Sequence, residues 1–151
     1  MRRTRFIVCL GLLAACGDDP SGSVRPNAIA DGAVNVVDNV LSPAWPSDPL
    51  TVESASISGD VLSVTVRFGG GCARHRIALL LGSAFMESFP VQVHARLAHD
   101  SGGDMCDALL TRTLTFDLTP LKQRYRSSYG AGAATIVINL SGHARSLRYS
   151  I

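Results

Sequence analysis

Leu62, Val64, Val66 and Phe68 alternate with Val61, Ser63, Thr65 and Arg67, a period of two that suits a half-buried β-strand and no helix. The same reading extends along the chain. Thr51 to Ser58 is a looser strand that enters the first through a Gly59-Asp60 turn. Arg74 to Leu81 follows, and its end, Ile77 to Leu81, is apolar on both faces. Val91 to Ala98, Leu110 to Leu118, Ala134 to Leu140 and Ala144 to Ser150 complete the set. Helical character is confined to one place: Thr119 can cap a turn, Pro120 suits its first position, and Leu121 and Tyr125 lie one turn apart. About seven short strands with polar turns between them predict an all-β, antiparallel, immunoglobulin-like β-sandwich with one short helical turn.

The N-terminus has a different character. Arg2, Arg3 and Arg5 precede an apolar run from Phe6 to Ala15, too short to span a bilayer as a helix but suited to a secretory signal. The run ends in Leu13-Ala14-Ala15-Cys16, which resembles the lipobox of bacterial lipoproteins. In that family the signal is cut before the cysteine and the cysteine is lipidated. The resemblance implies a signal peptide over residues 1–15, a lipid on Cys16 and membrane attachment through that lipid in the cell envelope. Gly17 after the cysteine, with Asp18 and Asp19 beyond it, favours the outer over the inner membrane.

Cutting before Cys16 removes three of the fourteen basic residues and none of the twelve acidic ones, leaving the mature chain at about −1. A near-neutral domain whose only lysine is Lys122 has no concentrated positive field for phosphates, so nucleic acid is excluded as a partner. From Gly17 to Pro49 the chain holds five of its seven prolines and its single tryptophan, and residues 16–49 read as a lipidated cysteine and tether ahead of a domain over residues 50–151. Within the tether, Ala33 to Val37 can form a short edge strand and Trp45 can pack on the domain rim, which would move the boundary earlier.

With Cys9 in the signal and Cys16 lipidated, Cys72 and Cys106 remain, in an oxidising compartment. Each follows glycines: Gly69-Gly70-Gly71-Cys72-Ala73-Arg74-His75 and His99-Asp100-Ser101-Gly102-Gly103-Asp104-Met105-Cys106. The first reading is a disulfide that links two loops at one end of the sandwich, with no cofactor. The competing reading is a zinc or copper site on Cys72, His75, His99 and Cys106. A third keeps the disulfide and lets His75 and His99 hold a metal with Asp100. Asp100, Asp104 and Asp107 supply carboxylates for calcium but lack the spacing of an EF-hand loop. Gly70 and Gly71 are expected to serve a tight turn or bulge, not a phosphate loop.

Catalysis is not the first expectation. Cys72 with His75 pairs a thiol with a base only if Cys72 is unbridged, and no Gly-x-Ser-x-Gly or His-Glu-x-x-His occurs. His94 and His143 read as surface or rim residues.

Three ordered motifs, Gly70-Gly71-Cys72-x-x-His75, His99-Asp100-x-x-x-Asp104-x-Cys106 and Phe116-Asp117-Leu118-Thr119-Pro120-Leu121-Lys122-x-x-Tyr125, are similar to those of a family of bacterial envelope lipoproteins, with NigD-like β-sandwich lipoproteins as distant relatives. The resemblance covers residues 50–140 and brings no defined activity. The chain reads as a binding or structural module of the envelope, with an envelope protein or small ligand as partner; a sandwich puts its loops at its ends, and those carrying Cys72, His75, His99 and Asp104 would cluster at one end if the bridge forms, which makes that end the candidate site. In the third motif Tyr125 can bury its ring and bond backbone through its hydroxyl, as a tyrosine corner does, while Pro120 helps the chain cross between sheets.

Overall fold

The computed structural model describes residues 27–151. Cys9, Cys16 and the signal sequence lie outside the described residues. Among those described, no helix is long and apolar enough to cross a membrane.

Two sheets face each other. β2 (Thr51–Ser58), β3 (Val61–Gly70) and β6 (Ala108–Asp117) form an antiparallel sheet in the order β2-β3-β6. β1 (Val34–Val37), β4 (Arg76–Gly82), β5 (Gln92–Asp100), β7 (Thr135–Leu140) and β8 (Leu147–Ser150) form the other, in the order β1-β4-β5-β7-β8. The alternation in β3 does what its spacing requires: Leu62, Val64, Val66 and Phe68 enter the core between the sheets, where they meet Ile77, Leu79, Leu81, Val93, Ala95, Leu97, Ile136, Ile138 and Tyr149. The expected sandwich is therefore the fold.

Its pairing is mixed rather than antiparallel throughout. β1 runs parallel to β4, and β5 parallel to β7. Parallel neighbours need a crossover. Between β5 and β7 it is supplied by β6, which sits in the opposite sheet, and by α1 (Thr119–Tyr129). This helix is longer than a single turn. Pro120 occupies its first turn and Leu121 is its buried residue, but the Thr119 side chain makes no capping bond. Asp117 Oδ1 instead accepts the Thr119 N–H at 2.8 Å.

The apolar run in β4 is buried on both faces for a reason that moves the domain boundary. Ile77, Leu79 and Leu81 face the inter-sheet core, while Ala78 and Leu80 point outward and join a second cluster with Ile29, Val40 and Ala98, flanked by Ala33, Val37 and Trp45. Residues 27–49 thus supply β1 at the edge of the larger sheet, as the Ala33 to Val37 run suggested, and pack Ile29, Val40 and Trp45 on its outer face. Asp31 secures this segment, accepting the Ile77 N–H at 3.0 Å and pairing with Arg112 of β6.

The hydroxyl tie expected of Tyr125 is made by Tyr149 instead, and chiefly to a carboxylate rather than to backbone. Tyr149 is fully buried and its hydroxyl donates to Asp60 Oδ1 at 2.8 Å, while Asp60 also pairs with Lys122. Tyr125 lies edge-on to Phe85 with ring centroids 6.0 Å apart. The motif's Lys122 does the tying, and the hydroxyl it meets through Asp60 comes from the last strand.

Candidate functional site

Register brings the two cysteine loops together. Gly70 at the end of β3 pairs with Ala108 at the start of β6, and Arg76 at the start of β4 pairs with Asp100 at the end of β5. The β3–β4 and β5–β6 loops therefore leave the same end of the sandwich. Cys72 and Cys106 are joined there by a disulfide, with Cα atoms 5.9 Å apart.

Asp104 is the hub. Its Oδ2 accepts the N–H groups of Gly71, Cys72 and Ala73 at 2.8, 2.9 and 2.8 Å, and its Oδ1 accepts the Cys106 N–H at 2.9 Å. Successive backbone N–H groups aimed at one point form an anion-binding nest, and here the anion is part of the chain. The nest needs Gly70 and Gly71 at positive φ, 150° and 121°, where side-chain-bearing residues are strained. The Ala73 and Cys106 N–H groups, followed by Cys72 and His75, hold the Asp104 carboxyl well below the usual carboxylate range.

Behind Asp104 lie the two histidines. His75 Nε2 meets Asp104 Oδ2 at 3.1 Å, His75 Nδ1 meets His99 Nε2 at 2.9 Å, and His99 Nδ1 faces the carbonyls of Asp48 and Pro49 at 3.1 and 3.2 Å. Both rings are buried, and Phe68 packs against each. Acceptors at the two ends assign the protons. With His99 neutral, its Nδ1 donates to the carbonyls, which leaves its Nε2 to accept from His75 Nδ1, while His75 Nε2 faces the carboxylate. Burial lowers the pKa of His99, in keeping with its role as the neutral member.

The remaining sequence candidates lie apart from this chain of bonds. Asp100 turns to solvent and pairs with Arg76 at 3.2 Å, and Asp107 is exposed. The three acids thus do not converge as calcium ligands. His94 is exposed on the outer face of β5, and His143 Nδ1 bonds the Arg145 carbonyl at 2.7 Å. Pro120 and Tyr125 belong to the helix. One contributor carries no sequence signal as a site residue. Asp48 lies in the Pro46–Pro49 segment, which runs beside the end of β5 through Asp48 N–H to His99 carbonyl at 3.0 Å, and its carboxylate accepts the Ser101 N–H at 2.6 Å. Nothing in Ser-Asp-Pro distinguishes this partner from an ordinary turn.

For metals, Cys72, Asp104 and Cys106 bring donor atoms within 4.8 Å of one another. Joined as a disulfide, however, the sulfurs are not the thiolates that zinc or copper coordinates. Both His75 nitrogens are engaged within the protein, by His99 and by Asp104. The thiol nucleophile is likewise absent from the bridged form. What the arrangement achieves is rigidity: a covalent bond, a nested carboxylate and a buried imidazole pair fix two glycine-rich loops in one geometry. A cleft of about 310 Å³ opens beside them, lined by Asp48, Pro49, His99, Met105 and Asp107 among others.

No family model matches the chain, and no curated protein matches it. Among solved structures it is similar to a NigD-like immunity protein from Bacteroides caccae ATCC 43185, with a TM-score of 0.51 and 16% identity over 72% of this chain and 52% of that one. This chain therefore spans about half the immunity protein's length, and the likeness is one of fold. Two others score lower: a protein provisionally assigned as a lipoprotein from Bacteroides fragilis NCTC 9343 (TM-score 0.49, 9% identity, 81% of this chain and 69% of that one), and a protein of unknown function from Bacteroides vulgatus ATCC 8482 (0.48, 10%, 82% and 56%).

Proposed function

We propose that this chain is a lipid-anchored protein of the bacterial cell envelope whose sandwich is a binding module, presenting the disulfide-pinned loop end to another envelope protein. The observation that carries this reading is the contrast within that end. Two loops are immobilised by the Cys72–Cys106 bond and by Asp104, yet Met105 between them is 91% exposed and Leu109 just beyond is 68% exposed. Exposed apolar side chains on a rigid frame lose little conformational freedom on binding, which favours a protein contact. A disulfide also fits export, since such bonds persist in oxidising compartments. Leu13-Ala14-Ala15-Cys16 supplies the anchor, with the outer membrane as its destination. A binding role accords with the fold likeness to an immunity protein.

A two-part experiment tests it. Metabolic labelling with radioactive palmitate should mark the full chain, and Cys16→Ser should abolish both the label and membrane partition. A photo-crosslinking residue placed at position 105 should then trap one discrete envelope component in living cells, whereas the same residue at exposed Thr115 should not. Palmitate on the Cys16→Ser protein overturns the anchor. Equal crosslinking from both positions, or none from position 105, overturns the binding end.

A further inference from the structure

The end of the sandwich opposite the disulfide is built differently. β4 runs away from the cysteine loops, from Arg76 to Gly82, and β5 returns toward them from Gln92, so residues 83–91 form the far tip. β7 starts beside the start of β5, with Val137 paired to Gln92, which brings residues 130–134 to the same tip. The helix joins them there: Tyr125 and Tyr129 pack edge-on against Phe85, with ring centroids 6.0 and 5.7 Å apart.

Beyond that cluster the tip is apolar and open. Phe89 is fully exposed, and Met86 and Tyr129 are exposed beside it in the same segments. Phe89, Pro90, Val91 and Tyr125 line one cleft, of about 330 Å³, together with Arg148 of β8. Large apolar side chains gathered in water mark a contact surface.

The charges of the tip are mostly of one sign. Residues 83–91 and 123–135 carry Arg124, Arg126 and a single acid, Glu87, and β8 adds Arg148. Arg67, Arg76, Arg112 and Lys122 are taken up in ion pairs, whereas among the described residues Arg124, Arg126 and Arg148 meet no carboxylate at that distance. Asp60 and Asp117 lie at the other end of the helix, where Asp60 pairs with Lys122 and Asp117 accepts the Thr119 N–H.

We infer that this tip docks on an anionic lipid surface, with Phe89, Met86 and Tyr129 entering the headgroup region and Arg124, Arg126 and Arg148 meeting lipid phosphates. Aromatic rings settle at headgroup level, and each arginine near an anionic leaflet adds attraction. Protruding apolar side chains with unpaired cations beside them are what a fluid, negatively charged surface selects. The inference rests on the Cys16 anchor of the proposed function, which holds the domain near a membrane, and it adds an orientation. With the tip on the bilayer, the disulfide end faces away from it, toward the partner.

The test places the full lipidated chain in vesicles of equal parts phosphatidylglycerol and phosphatidylcholine, with a photo-crosslinking phenylalanine analogue at position 89, 129 or 105. Flotation reads attachment, and mass spectrometry reads lipid adducts. The chain should float with the vesicles and give phospholipid adducts from positions 89 and 129, but not from position 105 at the opposite end. Adducts should fall by about fivefold or more on pure phosphatidylcholine, and again in Arg148→Glu, which alters an exposed side chain. Phe89→Ser, at a fully exposed position, should fold normally and lower the adducts from position 129. A floating chain with no adduct from position 89, with equal adducts from position 105, or with adducts indifferent to phosphatidylglycerol and to Arg148→Glu overturns the docking and leaves the anchor standing. Adducts to a second copy of the chain in place of lipid overturn it as well. A chain that does not float overturns the anchor itself, and with it the docking that rests on it.

Discussion

A β-carbon placed on Gly70 would overlap His75 Nε2 and fall 2.9 Å from Asp104 Oδ2. The glycine is therefore the floor on which the imidazole and the carboxylate meet. Gly70→Ala should push His75 off Asp104 and strain a backbone already at positive φ, costing about 2 to 4 kcal/mol of stability. Gly69→Ala, one residue earlier, meets nothing within 4 Å, and its cost should stay below about 1 kcal/mol. Urea unfolding of the two variants checks the contrast, and equal losses would deny Gly70 its role.

The disulfide closes a loop with a sequence separation of 34 residues. Cys72→Ala should destabilise the domain by about 2 to 5 kcal/mol. The double variant with Cys106→Ala should cost little more, because either change removes the same bond. Intact mass measured on denatured protein should rise by about two mass units on reduction. An additive double variant, or an unchanged mass, counts against the bond. Two free thiols with a bound metal ion in the native spectrum would restore the Cys72, His75, His99 and Cys106 metal centre.

Acid should weaken the fold in two stages. Burial holds His99 below the ordinary imidazole pKa, so the unfolded chain takes up this proton first. Its contribution is complete above about pH 6.5 and is lost as pH falls from there toward the folded-state value. Protonating His99 would also place a donor on His99 Nε2 facing the donor on His75 Nδ1. Asp104, held down by the Ala73 and Cys106 N–H groups, and Asp48, held down by Ser101, contribute above the ordinary carboxylate range and are lost below about pH 3.9. Thermal midpoints measured from pH 7.5 to 3 should show an inflection on each side of pH 5. His99→Gln should be less stable at pH 7.5 and lack the upper inflection; a wild-type profile flat between pH 7 and 5 would refute the His99 assignment.

Much of this was legible in the residues. Leu62, Val64, Val66 and Phe68 declare a half-buried strand because the period of two cannot serve any other element, and Ile77 to Leu81 declare two buried faces. What covers the second face was legible only in part: Ala33 to Val37 and Trp45 could be placed at the domain's edge, but Ile29 and Val40 are scattered among prolines with no period. At the loop end the participants were visible but their arrangement was not. His99, Asp100, Asp104 and Asp107 are all chemically able to hold a metal, and only the pairing of Gly70 with Ala108 and Arg76 with Asp100 decides that Asp104 turns into the opposite loop while Asp100 turns out to Arg76. Long-range register, not local composition, separates them.

Tyr149 offers an independent check on how the last strand is tied in. Burial and its bond to Asp60 raise its phenol well above the ordinary value. Tyr149→Phe should cost about 1.5 to 3 kcal/mol, the loss of one hydrogen bond to a charged group. Lys122→Met, which removes the other partner of Asp60, should interact with it: the two losses should not sum, and strict additivity in the double variant would mean that Asp60 does not link them.

The strap formed by residues 27–49 shortens the leash. If all of residues 17–49 were free chain, a lipid on Cys16 would let the sandwich roam up to about 115 Å from the bilayer; with the chain packed down from residue 27, the covalent limit is about 35 Å. On the anchor proposed above, a domain so tethered would sample a thin layer next to its own membrane. Under that proposal anything it meets would have to come to that layer, and contact with the opposite side of the envelope would be made by the partner's reach rather than its own.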